Sequence, residues 1–166
     1  VITMIMAGAD STATVLAWAM VELSENPERF AQLRGEAKAA LGRDGFSRDA
    51  VRNLPLLMKF WQEMCGKYPA FPLYFRGVTA ELQLGRFTLP ANAEIVIIPG
   101  ATAPFGLGER QCIGRNFATV TALDALAIML QNVSHLHRDS KYGDRRVRFA
   151  MTAPPLRASF WIALGV

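Results

Sequence analysis

Apolar and polar positions recur along this chain with two periods, and the changes of period divide it into elements. Residues 1–24 are mostly apolar, and Val15 to Val21 is apolar on every side, which predicts a buried helix. Gly8, Asp10, Ser11 and Thr12 are out of place there, since Gly in a helix interior costs about 1 kcal/mol and Asp and Ser compete for backbone bonds. Either this is a turn facing solvent, or it is a weakened turn carrying an acid and hydroxyls beside a ligand. Asn26 as N-cap and Pro27 at the first helical position open the next helix. Its stripe is Phe30, Leu33, Ala37, Ala40 and Leu41, and Gly42 ends it. Ser47 caps a short helix reaching about Asn53. A further helix runs from Pro55 to Gly66, with an apolar face at Leu56, Leu57, Phe60 and Met64.

The period then shortens. Leu73 to Arg76, Glu81 to Leu84 and Glu94 to Ile98 read as short strands, with turns at Gly85 and at Pro90-Ala91-Asn92. Helical spacing returns at Ile113, Phe117, Val120, Leu123, Leu126, Ala127 and Leu130, which predicts a helix over 113–132. His135 to Arg146 is polar and reads as a connection. Val147 to Met151 and Leu156 to Leu164 form a predicted terminal hairpin across Ala153-Pro154-Pro155.

The 166 residues suffice for one domain with a core, and at 51% hydrophobic the chain is not disordered. The net charge of +4 is spread without a basic run or interleaved aromatics, which argues against nucleic acid as a partner. No apolar run reaches about 18 residues, so no membrane span is expected. The chain has no initiator Met and opens in mid-helix, as a piece of something longer would. Two cysteines, Cys65 and Cys112, do not make a disulfide framework, which suits a reducing compartment.

The chemistry concentrates in Ala103 to Ala118, APFGLGERQCIGRNFA. Pro104 fixes its entry, while Gly106 and Gly108 permit positive φ and close approach of a flat ligand. Cys112 falls where helical periodicity begins, so orphan N–H groups and the positive end of the helix dipole favour its thiolate, as does Arg110 nearby. A thiolate so placed is a nucleophile or a metal ligand. The histidines, His135 and His137, lie at least about 23 residues on, roughly 30 Å away at 1.5 Å per residue, and make poor bases. No second Cys or His stands at zinc spacing. A single thiolate as sole protein ligand fits haem, whose porphyrin supplies the other four donors. The alternative is that Cys112 is a small buried hydrophobe.

Phe105, Gly108, Arg110, Cys112 and Gly114 fill F-x-x-G-x-R-x-C-x-G, and the chain thereby resembles the cytochromes P450, whose haem-thiolate signature this is. The resemblance implies haem b (iron protoporphyrin IX) with Cys112 as its axial metal ligand. It implies that Arg110 pairs with a propionate, that Phe105 shields the sulfur, and that Gly106 and Gly114 belong to the haem-binding loop. AGADST, residues 7–12, is similar to the family's A-G-x-[DE]-T-T segment. Ala7 and Gly8 would then lie over the haem face, and Asp10 and Ser11 would be the catalytic acid–alcohol pair, with Ser where the family usually has Thr. By the same resemblance Arg76 meets a propionate, although a surface strand arginine is the simpler reading. Ala70, Phe71, Leu73, Pro154 and Pro155 would border a pocket for a lipophilic substrate.

The family's E-x-x-R helix has Glu63 here but Gly66 at the arginine position, with Lys67 one residue out of register. Glu63 is then either a buried carboxylate lacking its partner, at a cost of several kcal/mol, or an exposed one. Pro27-Glu28-Arg29-Phe30 imitates a P-E-R-F motif of the family but stands far ahead of its place, and we read it as coincidence.

The implied fold is mainly α with a small β-sheet (α+β). It is the C-terminal part of the family's fold as one domain over 1–166, truncated at the N-terminus and lacking the segment before the cysteine loop. The implied activity is a monooxygenase that oxidises a lipophilic small molecule with dioxygen. Its electrons would come from a ferredoxin, flavodoxin or reductase, and the expected location is the cytoplasm. The alternative is a haem-binding protein or degenerate fragment with little activity, or with peroxide-driven activity only.

Overall fold

A computed structural model describes residues 2–41, 53–99, 102–138 and 160–164. The predicted hairpin arm Val147 to Met151, the predicted short helix from Ser47, and Pro154 and Pro155 lie outside the described residues.

Four helices carry the core. Helix α1 spans Ile2–Glu25, α2 Pro27–Leu41, α3 Pro55–Lys67 and α4 Arg115–Asn132. Asn26 caps α2 as expected, its Oδ1 accepting the N–H of Arg29 at 3.3 Å. The buried cluster joins Val15, Ala19 and Leu23 of α1 and Phe30, Leu33 and Ala37 of α2. To these it adds Leu57, Phe60, Trp61 and Met64 of α3 and Ala122, Leu123, Leu126, Ala127 and Leu130 of α4. Each fully buried large side chain there contributes about 1.5–3 kcal/mol by leaving water.

Helix α1 is divided. Thr14 to Leu23 holds all its buried positions, while Ile2 to Asp10 is exposed throughout. Its length and apolarity would also let it cross a membrane, contrary to the expectation from run length, but a third (33%) of that window is buried in the core. Asp10 interrupts the contiguous run without lowering the average enough to matter.

Two predicted apolar faces are corrected. In α3, Leu56 is exposed and Trp61 and Cys65 are buried instead, because the face covered by α2 and α4 is wider than the four-residue stripe. In α4, Leu123, Leu126, Ala127 and Leu130 are buried as expected, but Ile113, Phe117 and Val120 are exposed. The helix also begins at Arg115 rather than 113. Periodicity marks an apolar stripe without saying how far along it another element lies.

The strands form three antiparallel pairs. Strand β1, Tyr74–Gly77, pairs with β4, Glu94–Ile97, with Phe75 opposite Val96. Strand β2, Leu82–Leu84, pairs with β3, Phe87–Leu89, a strand the sequence reading missed. Gly85, at φ 57°, makes the turn between them, and Asn92, at φ 68°, turns the chain into β4. Strand β5 is Val133–Arg138, where a polar connection was expected, and it pairs with β6, Phe160–Leu164. His135 and His137 are thus strand residues. Its exposed positions, His135 and His137, are polar, and the alternation with Val133 and Leu136 was the available strand signal.

Candidate functional site

The cysteine loop is closed by its own backbone. Gly106 N–H donates to the Ala103 carbonyl at 3.0 Å, and Gln111 N–H donates to that of Gly108 at 3.1 Å. Cys112 N–H donates to the carbonyl of Phe105 at 2.8 Å. These closures need left-handed backbone at Gly106 (φ 73°) and Gly108 (φ 68°), which residues with a Cβ adopt only under strain. A single 3-10 turn, Gly108–Arg110, lifts the chain to Cys112.

Cys112 is therefore not buried, and the reading of it as a small core hydrophobe is set aside: its thiol is exposed. A Cβ on Gly114 would come 3.8 Å from Sγ, an ordinary van der Waals contact beside the sulfur. The sulfur stands just ahead of α4, not in its first turn. The N-cap is Gly114, and Arg115 N–H reaches back to the Cys112 carbonyl at 3.4 Å.

The surroundings fit the expected group. Leu107, Ile113 (88% exposed) and Phe117 (72%) flank the thiol in sequence and leave large apolar side chains uncovered. Uncovered apolar side chains of this size are costly against water and suit an apolar ligand. Among the described residues no group of three or more His, Cys, Asp or Glu could hold a metal ion, and the exposed Cys112 sulfur is the candidate donor. A ligand that brings four donors of its own matches a single sulfur.

Of the other predicted residues, Phe105 is half-buried against the core, with the Arg115 guanidinium 5.8 Å from its ring centre. Arg110 is exposed. Arg76 is exposed too; it donates to the Phe75 carbonyl at 2.8 Å and lies 4.9 Å from the Tyr74 ring centre. Ala70 is half-buried against the core, while Phe71 and Leu73 are exposed. On α1, Ala7, Gly8 and Asp10 are exposed, and nothing lies within 4 Å of where a Gly8 Cβ would be. The helix runs through Gly8 to Thr12 without a break. Ser11 Oγ donates to the Ala7 carbonyl at 2.6 Å, a back-bond that occupies its proton on the helix itself.

Two relationships escaped the sequence reading. Glu63 is neither orphaned nor simply exposed. Arg29 Nη1 and Nη2 bind its two oxygens at 2.9 and 2.5 Å, so the tetrapeptide read as coincidence supplies the partner. Hydrogen bonding to Arg29 lowers the Glu63 pKa, and the same bond raises that of Arg29. Glu36 of α2 accepts the backbone N–H groups of Leu56 and Leu57, at 2.8 and 2.9 Å. Leu54 at the N-cap of α3 gives no side-chain cap, and that missing cap was the available signal.

The sequence model of the family "Cytochrome P450" matches residues 1–103 and 98–160. The two matches overlap at residues 98–103, at the entry to the cysteine loop. Cytochrome P450 72A397 of Kalopanax septemlobus is 32% identical over 161 residues, covering 77% of this chain and 31% of that protein. The mitochondrial 25-hydroxyvitamin D-1 alpha hydroxylase of Homo sapiens is 28% identical over 160 residues, covering 76% of this chain and 32% of that protein. The chain thus spans about a third of the length of these relatives. The solved cytochrome P450 CYP102L1 superposes with a TM-score of 0.90 at 26% identity, over 99% of this chain and 45% of that one. With the family model matched along most of its length, the chain belongs to the cytochrome P450 family, and that family implies a haem cofactor.

Proposed function

We propose that this chain is the haem-thiolate portion, residues 1–166, of a monooxygenase that oxidises a lipophilic small molecule, in which Cys112 would hold haem b through its thiolate. The exposed Cys112 thiol, presented by a loop locked through the Phe105 carbonyl, carries the reading. When bound, the haem supplies iron that activates dioxygen, and thiolate ligation favours O–O cleavage.

The chain's own residues hold, shield and deliver. Gly106 and Gly108 fix the loop, and Gly114 adds no side chain beside the sulfur. Phe105 and the uncovered Ile113 and Phe117 exclude water from the sulfur side once a flat apolar group covers them. Arg110 and Arg76, both exposed, are the cations for the propionates. On α1, Ala7 and Gly8 give a face with no bulk, and Asp10 and Ser11 move protons. Ser11 must then release the Ala7 carbonyl, to which its hydroxyl is bound. Ala70, Phe71, Leu73, Pro154 and Pro155 border the substrate, whose apolar character follows from theirs. Electrons come from a ferredoxin, flavodoxin or reductase.

The test is purification with added haemin, reduction and carbon monoxide. The Soret band diagnostic of thiolate ligation is expected, and Cys112→Ser removes it. A colourless protein, or a band unchanged in Cys112→Ser, refutes the assignment.

A further inference from the structure

Helix α3 is gripped by α2 on one side and leans on α4 with the other. The grip has two points. Glu36 holds the N-terminus of α3 through the Leu56 and Leu57 amides. Arg29 holds its C-terminal half through both oxygens of Glu63, across 34 residues of sequence. The same guanidinium lies 4.8 Å from the centre of the Phe60 ring, one turn before Glu63, so one cation engages two adjacent positions of a single helix face.

The other face of α3 reaches the cysteine. Trp61 Nε1 donates to Thr119 Oγ1 at 3.4 Å, and that hydroxyl donates to the Arg115 carbonyl at 2.9 Å. Arg115 is the first residue of α4, and its N–H returns to the Cys112 carbonyl. Cys112 in turn closes the loop through Phe105. Contacts therefore run without a gap from Arg29 to the sulfur-bearing residue. Lys67 Nζ also donates to Glu22 of α1 at 2.7 Å, so loss of Arg29 leaves both ends of α3 held and frees the turn from Phe60 to Glu63, which carries Trp61.

We propose that Arg29 is a positioning residue for the Cys112 loop, acting through Glu63 and Trp61, and that it replaces a cation missing at position 66. An arginine there, three residues after Glu63, would pair with the same carboxylate from within α3. This chain has Gly66 instead and takes the cation from α2. The functional weight of the proposal rests on Cys112 as haem ligand, but its test needs no haem.

The test reads backbone amide exchange at Cys112 in the chain itself, with the Leu126 amide as a core control for global opening. Arg29→Gln is expected to speed exchange at Cys112 by about threefold or more relative to Leu126, the lower range of coupling between contacting groups. Trp61→Phe should speed it similarly, and the two together should add little beyond either alone. The charge swap Arg29→Glu with Glu63→Arg should bring the rate back. If Arg29→Gln lowers the melting temperature but leaves the Cys112-to-Leu126 ratio unchanged, or if the two changes are additive, positioning is overturned. Adding Gly66→Arg to Arg29→Gln tests the replacement. Recovery of the ratio supports it. Failure beside a successful charge swap overturns that half alone. Should haem binding fail while the ratio shifts as described, the proposed activity falls and the mechanical linkage stands.

Discussion

The carboxylate of Glu36 accepts the backbone N–H of Leu57 at 2.9 Å, capping a helix that begins some twenty residues later in the chain. Its other oxygen takes the Leu56 N–H at 2.8 Å. Leu54, at the N-cap, offers no side-chain cap of its own, so α3 borrows its cap from α2. A negative charge at that end also complements the helix dipole.

Glu36→Ala should therefore destabilise the fold by about 1 kcal/mol, within the range for loss of an N-cap. Glu36→Gln, which keeps one acceptor oxygen, should cost about half as much. Urea denaturation of the three proteins measures this, and equal midpoints would show that the cap is idle.

The Arg29–Glu63 pair sets an acid limit. The folded state holds the Glu63 pKa below its ordinary value, chiefly through the Arg29 hydrogen bond. Its contribution is complete above the unfolded carboxylate range and is lost as pH falls through the lowered folded pKa. Both side chains are partly exposed, at 29% and 43%, so the contribution is only about 0.5–1 kcal/mol after solvent screening. Wild type should lose that increment below about pH 4.5, and Glu63→Gln should show a flatter profile there.

The two thiols should behave oppositely. Burial alone pushes the Cys65 thiol up to about 12, whereas Cys112 is exposed. A neutral thiol reagent should titrate one cysteine in the native protein and two in denaturant. Cys112→Ser should remove the fast one. Because the folded state keeps the Cys65 proton longer than the unfolded chain does, stability present at neutral pH should decline above about pH 9. Its slope should approach roughly 1.4 kcal/mol per pH unit, and Cys65→Ala should lack it.

Gly66 offers a further comparison. With Glu63 already engaged by Arg29, a second cation has little left to neutralise. Gly66→Arg and Gly66→Ala should shift stability alike, within about 0.5 kcal/mol of each other, since both remove a helix glycine. A markedly larger gain for arginine would mean that Glu63 is underpaired in solution.

The divided stripe of α4 is testable by truncation. Leu126→Ala should cost about 2–5 kcal/mol as a core cavity, whereas Phe117→Ala should stay near ±0.5 kcal/mol in the haem-free chain. Similar losses at both positions would show that the first turns of α4 are covered in solution.

The sequence alone determined the four described helices, the N-cap of α2, most of the strands, and the loop that presents Cys112. Each of these follows from local rules: spacing of apolar positions, Asn26 before Pro27, and glycines where backbone must turn left-handed. The signature around Cys112 was legible for the same reason, since its donor, cation and glycines lie within ten residues. Tertiary structure alone decided which half of the α1 and α4 stripes is covered, that β5 pairs with β6, and that Glu36 caps α3. It also decided that Glu63 finds its cation in Arg29. These pairings join positions 20 or more residues apart, and a charge or an apolar stripe carries no record of its distant partner until packing brings the two within a hydrogen bond's length.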